Sequence, residues 1–167
     1  EEFAVPHSGS PYRSIDELAN NEILHLPTGI KVNFNQMLDA ISSSRVIYIG
    51  ETHDNTEAHR VQLEIIKDLI RRFPGKVSVG MEMFRRSTQP NLDLWNQNKL
   101  PLHKFKKLFR KDWGHGYPLY QPIFDLLQKH HAPLIGLKSS KKTEDLFRKN
   151  NSSDENNFPE IDSNDIY

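Results

Sequence analysis

The sequence has no cysteine in its 167 residues. That excludes disulfides, thiolate-held zinc or iron–sulfur sites and a cysteine nucleophile, leaving eight His, five Tyr and the carboxylates for metal ligation or acid/base work. The redox compartment is therefore unmarked. Charge of one sign is also lacking, since 22 Lys+Arg balance 22 Asp+Glu. The chain has no overall electrostatic footprint for a phosphate backbone, and nucleic acid is not expected as a partner. No apolar run approaches the roughly 20 residues of a membrane helix. Glu1 opens the chain with neither a basic nor a hydrophobic leader, so any export signal is expected to have been removed or never present. Hydrophobic residues are scarce at 36%, below the roughly 45–50% of ordinary globular chains. The length suits one domain.

The scarcity is concentrated at the ends. Residues 1–20 carry Pro6, Gly9 and Pro11 without periodicity and read as an irregular N-terminal arm. Residues 139–167 turn polar, and KNNSSDENN predicts a mobile segment. Between them, 21–138 read as an α/β domain, a mainly parallel sheet flanked by helices with additional helices covering one edge. EILHLPTGIKVNF predicts a hairpin turning near Thr28 and Gly29, followed by a short helix with Phe34, Met37, Leu38 and Ile41 on one side. The apolar run 46–49 predicts a central parallel strand. Asp54 and Glu57 have capping-box spacing before a helix whose inner face is Ala58, Gln62, Ile65, Ile66, Leu69 and Phe73, stopped by Pro74 and Gly75. KVSVGMEMF repeats the strand signature and completes a βαβ-length unit. Helices are predicted over 89–100, 104–113 and 120–131, with APLIGL as a third strand.

Aligned on their glycines, the three strands read IYIGET, VSVGME and PLIGLK, which sends Glu51, Glu82 and Lys138 toward one rim. Open α/β sheets bind ligands at the carboxyl ends of their strands. For Lys138 a strand that simply ends in a polar residue is the better account, whereas Glu51 and Glu82 point to a site. Glu51 and His53, two apart, share a face of an extended segment. With His59 from the next helix and Glu82 from the next strand they form a plausible set for a divalent metal such as zinc or manganese, or for acid/base chemistry without one. Helix capping and a surface His explain part of the pattern without function.

DWGHGYPLYQP gathers Trp113, His115, Tyr117 and Tyr120 around two glycines. Such a loop could clasp a flat ligand, and His or Tyr can ligate haem iron; packing of the aromatics on the sheet is the plainer account. His130 and His131 suit a helix C-terminus. The basic KFKKLFRK could attract an anionic partner, although such a stretch is more often a solvated face.

The GETHDN box at 50–55, His59 with Gln62, the GMEM box at 80–83 and the Tyr120-x-Pro122 segment together resemble the ChaN-like haem-binding proteins, iron-regulated bacterial lipoproteins of the wider Tiki, TraB and erythromycin-esterase-like superfamily. The resemblance runs over residues 28–137. It implies a lipid-anchored protein of the cell envelope, at the outer membrane or in the periplasm, that takes part in haem and iron acquisition. It implies haem b as cofactor, a homodimer holding haem between subunits, and an outer-membrane haem receptor as a further partner. In such proteins tyrosine holds the iron and basic residues of the other subunit meet the propionates. Candidates here are Tyr117, Tyr120 and Tyr167, with His115, His53 and Lys138 as further cofactor contacts. At LKSS the chain departs from relatives, which more often carry Asn and a small residue there. Such modules continue past the counterpart of FPEIDSNDIY, so the resemblance implies that the C-terminal part of the module is absent. The superfamily's esterase-like and protease-like members supply the rival function, a metal-dependent hydrolase using Glu51, His53, His59 and Glu82. For this family a binding and uptake role is expected rather than catalysis.

Overall fold

Proline at 27 and glycine at 29 break the apolar run that opens the domain, and the chain reverses there. The computed structural model describes residues 18, 19 and 21–149. The arm read over 1–17 and the polar stretch from 150 onward, Tyr167 included, lie outside the described residues. The chain divides into two units, Glu1–Gly50 and Glu51–Tyr167.

In the first unit, β1 (Ile23–His25) and β2 (Ile30–Val32) pair antiparallel, Ile23 opposite Val32 and His25 opposite Ile30. The His25 carbonyl accepts from the Thr28 and Gly29 amides and closes the expected turn. Helix α1 (Phe34–Ile41) starts with a capping box: Asn33 accepts from the Gln36 amide while the Gln36 side chain accepts from the Asn33 amide. Leu38 is its buried residue.

Residues 46–49 are not a strand. Val46 is 66% and Tyr48 94% exposed, and no ladder partner takes their backbone groups among the described residues. An apolar run specifies extended backbone, but a strand exists only where a neighbour accepts and donates along it. The expected three-stranded parallel sheet is correspondingly reduced to one parallel pair.

The second unit begins with α2 (Thr56–Arg72). Its cap is Asn55, whose side chain accepts from the Glu57 and Ala58 amides, one residue later than the Asp54 box predicts. Ile65, Ile66, Leu69 and Ile70 are buried as the periodicity requires, whereas Phe73 caps the helix end and is exposed. Strand β3 (Val79–Arg85) then alternates until Met83 and Phe84, both buried. A 3₁₀ turn at Arg86–Thr88 leads into α3 (Gln89–Asn96), α4 (Leu102–Asp112) and α5 (Tyr117–His130). Gly116 enters α5 at φ 81°, a left-handed value that admits glycine readily. His131 closes the helix, so the paired histidines sit at its C-terminus.

Strand β4 (Leu134–Lys138) lies parallel to β3, with Val79 opposite Leu134 and Met81 opposite Gly136. The register then shifts, and Arg85 faces Lys138. At Gly136 any Cβ would stand 2.7 Å from the Arg85 carbonyl, so the irregular crossing requires glycine. Helix α6 (Lys141–Lys149) follows, a helix in the polar segment where none was expected. Arg85 ties it down, donating to the Ser139 carbonyl and to Glu144.

The core is aromatic. Phe84 meets Phe105, Phe109 and Phe124 at centroid distances of 5.3 to 5.8 Å, and Trp95 stacks on Phe105 at 4.0 Å. Each such pair contributes about 0.5–1.5 kcal/mol beyond area burial. Buried Asp112 accepts from the Arg85 amide and the Thr88 hydroxyl, which locks the end of α4 to the exit of β3.

The cap position is testable. Asn55→Ala should lower stability in urea unfolding by about 1 kcal/mol, while Asp54→Ala should stay within about 0.5 kcal/mol of wild type. Equal losses would return the cap to Asp54.

Candidate functional site

A carboxylate taken out of water needs donors, and Glu51 collects them. Its side chain is 7% exposed. Oε1 accepts from the Tyr120 hydroxyl at 2.5 Å and from His53 Nδ1 at 2.9 Å. Burial, the largest influence, pushes the Glu51 carboxyl up, but the Tyr120, His53 and Gln62 hydrogen bonds and the charge of His59 outweigh it and hold the group below its ordinary 4.5. Glu51 is therefore an ionised acceptor.

That fixes the hydrogens around it. His53 donates from Nδ1, so in the neutral ring Nε2 carries a lone pair, on a side chain 55% exposed. His59 Nε2 donates to the His53 carbonyl at 3.0 Å. Its Nδ1 lies 3.2 Å from Glu51 Oε2, outside hydrogen-bonding geometry, and both atoms are buried without a hydrogen-bond partner. Gly116 and the start of α5 deliver Tyr120, which is fully buried against the His59 ring at 4.5 Å. Burial first, then the Glu51 bond and the Glu51 and Glu82 charges, push its phenol far above the usual range, with a Trp113 hydrogen bond opposing. Tyr120 keeps its proton.

Trp113 connects the rest. Its ring meets His53 edge-on at 4.8 Å, and Lys138 Nζ lies 5.4 Å from the ring centroid while donating to the Asp112 carbonyl. Lys138 thus joins the site by way of the indole. Glu82 stands within β3 rather than at its end, with Oε1 3.7 Å from His53 Nε2 and its side chain 58% exposed. Tyr117 does not join: it packs on Phe105, Phe109 and Phe124 with its hydroxyl buried and without a hydrogen-bond partner. His115 is exposed in the loop before α5.

Glu51, His53, His59 and Glu82 are thus neighbours, yet among the described residues no group of three or more His or carboxylate side chains is arranged to hold a metal ion. The donor geometry shows why: one oxygen of Glu51 is taken by Tyr120 and His53, and His59 Nε2 is taken by a backbone carbonyl. The pairing of Glu51 with Tyr120, 69 residues apart, has no signal in the sequence. The contact of Trp113 with His53 was equally hidden.

For Tyr117, burial followed by the Asp125 charge pushes the phenol up from 10.0 to about 12. The folded state holds this proton more tightly than the unfolded chain, so the stabilisation is complete below pH 10 and falls as pH rises toward 12. Tyr117→Phe should lose less stability than wild type over that interval in urea unfolding; identical slopes would show that Tyr117 titrates normally.

A family described as haem-binding uptake, Tiki superfamily, ChaN matches residues 37–159. No curated protein and no solved structure matches the chain. The match takes in the Glu51–His53 segment, β3, the Trp113 loop and Tyr120, and the chain belongs to this ChaN family of haem-binding uptake proteins.

Proposed function

We propose that this protein binds haem for haem and iron uptake at the cell envelope, and that two copies hold the haem between them. The family match over 37–159 carries the reading. The donor set supports it: a chain without thiolates offers an imidazole nitrogen at His53 beside an indole and a lysine ammonium, groups that suit iron, a porphyrin face and a propionate. A small apolar cleft of about 270 Å³ between α2 and α5 is lined by His59, Arg60, Leu63, Pro118, Leu119 and Pro122 among others, and takes in none of His53, Trp113 and Lys138. Lipid anchoring at the outer membrane and delivery to or from an envelope haem receptor belong to the same proposal.

When bound, haem would supply an iron that takes a protein donor; the protein's part would be to present that donor, keep Glu51 ionised and shield the porphyrin. No turnover is required of these residues.

Titration with haemin should give a saturable Soret shift at a fixed stoichiometry, and light scattering should show the apparent mass doubling as haem is added. Absorbance indistinguishable from free haemin would refute haem binding. A bound protein that stays monomeric would refute the shared pocket alone.

A further inference from the structure

We propose that the outer face of α4 is a docking surface for an anionic phospholipid bilayer, a property separate from the haem-binding reading above. That face carries Lys104, Lys106, Lys107, Arg110 and Lys111, all exposed, and no acidic residue. Phe105 and Phe109 lie buried on the opposite side. Asp112, the one carboxylate of the helix, is buried there too and accepts from the Arg85 amide and the Thr88 hydroxyl. The chain as a whole is neutral, but a charge is felt only within a Debye length of about 8–10 Å, so the local excess decides what this face attracts. Helix α2 shows the contrast. Its cations are matched by acids one turn back: Arg60 pairs with Glu57, Lys67 with Glu64, and Arg71 and Arg72 with Asp68. None of the five on α4 has an ion-pair partner among the described residues. Lys106 lies over the Tyr117 ring, 4.9 Å from its centroid, and Asp125 of α5, whose charge reaches Tyr117, forms no ion pair with them.

This arrangement works against the helix itself. Lys104, Lys107 and Lys111 set like charges three and four residues apart, as do Lys106 and Arg110, and Lys104 puts a cation in the first turn, at the positive end of the helix dipole. A local rule broken without compensation inside the fold marks a functional surface. The kind of partner follows from how the charges spread. At 3.6 residues per turn, Lys104 and Lys106 point about 160° apart around the axis, so no single phosphate or carboxylate meets both. Four of the five are lysines, compact point charges without the planar fork that lets arginine grip one phosphate in two places. Distributed over about 16 Å of helix, they suit a broad field of anionic headgroups, which attracts each Lys or Arg that comes close to it. Leu102, 46% exposed and one turn before Lys106, adds an apolar contact. The rest of the apolar side is committed to the core, so the helix rests on the bilayer surface instead of sinking into it. No aromatic ring stands among the outer residues for bases to stack on, which separates this face from a platform for single-stranded nucleic acid.

The experiment floats the full chain with vesicles of phosphatidylcholine alone, or with about one-third phosphatidylglycerol. Wild type should bind the anionic vesicles, leave the neutral ones, and come off at about 1 M salt, where the Debye length shrinks to about 3 Å. Lys107→Gln should weaken binding about fivefold, and the triple variant Lys104→Gln, Lys107→Gln, Lys111→Gln about a hundredfold. Lys67→Gln, on the charge-paired helix α2, should match wild type, as should the triple variant with Arg at the same three α4 positions. Circular dichroism of each variant separates lost binding from lost folding, and the Arg triple keeps the charge in place. Equal binding to neutral and anionic vesicles would overturn the proposal, as would a Gln triple that binds like wild type. Retention on duplex DNA without any binding to vesicles would overturn it in favour of a nucleic-acid partner. A protein that ignores vesicles yet still gives the Soret shift with haemin would overturn this inference and leave the haem-binding reading standing.

Discussion

The Glu51 carboxylate draws donors from distant segments of the second unit. Moving a carboxylate from water into a protein interior is costly unless hydrogen bonds replace the lost hydration, and Glu51 meets that demand by engaging Tyr120 and His53, with His59 close by. Each of those partners is constrained in return. The phenol must keep its proton, the His53 ring must donate from Nδ1, and helices α2 and α5 must stay close enough for His59 and Tyr120 to touch. A charge that needs several donors from distant segments holds those segments in register, and this gives the site its rigidity.

The same constraint separates two kinds of chemistry that the residue types alone leave level. Two Glu and two His within reach of one another suggest a metal centre, but ligation needs lone pairs aimed at a common point. Here Glu51 Oε1 accepts from Tyr120 and His53, and His59 Nε2 donates its hydrogen to the His53 carbonyl. His53 Nε2 lies 3.7 Å from the exposed Glu82 carboxylate, with an indole and a lysine nearby. Glu51 Oε2 and His59 Nδ1, 3.2 Å apart, are both buried without a hydrogen-bond partner.

Much of the fold was legible where local physics decides it. The hairpin followed from Pro27 and Gly29, α2 from its apolar period and its Pro74–Gly75 stop, and β3, β4 and the three intervening helices from pattern and punctuation. Two errors came from questions that local pattern cannot answer. Whether residues 46–49 form a strand depends on a partner backbone, which no property of Val, Ile and Tyr can supply. Whether Asp54 or Asn55 caps α2 depends on which side chain turns back onto the amides, a matter of one residue of backbone path. Helix α6 was missed for a related reason, since Arg85, 59 residues away, holds its Glu144.

From the sequence alone came the chemical vocabulary of this protein: no thiols, balanced charge, a Glu-x-His box, a nearby His and Tyr, and motifs specific enough to place it among haem-binding uptake proteins. Tertiary structure alone decided how those words combine. It put Tyr120 on Glu51, turned Tyr117 into the core, drew Lys138 to Trp113 and left His53 facing outward. The reason is physical: residue types limit which bonds are possible, whereas the direction of each lone pair and hydrogen is set by long-range packing around a charge that has to be satisfied.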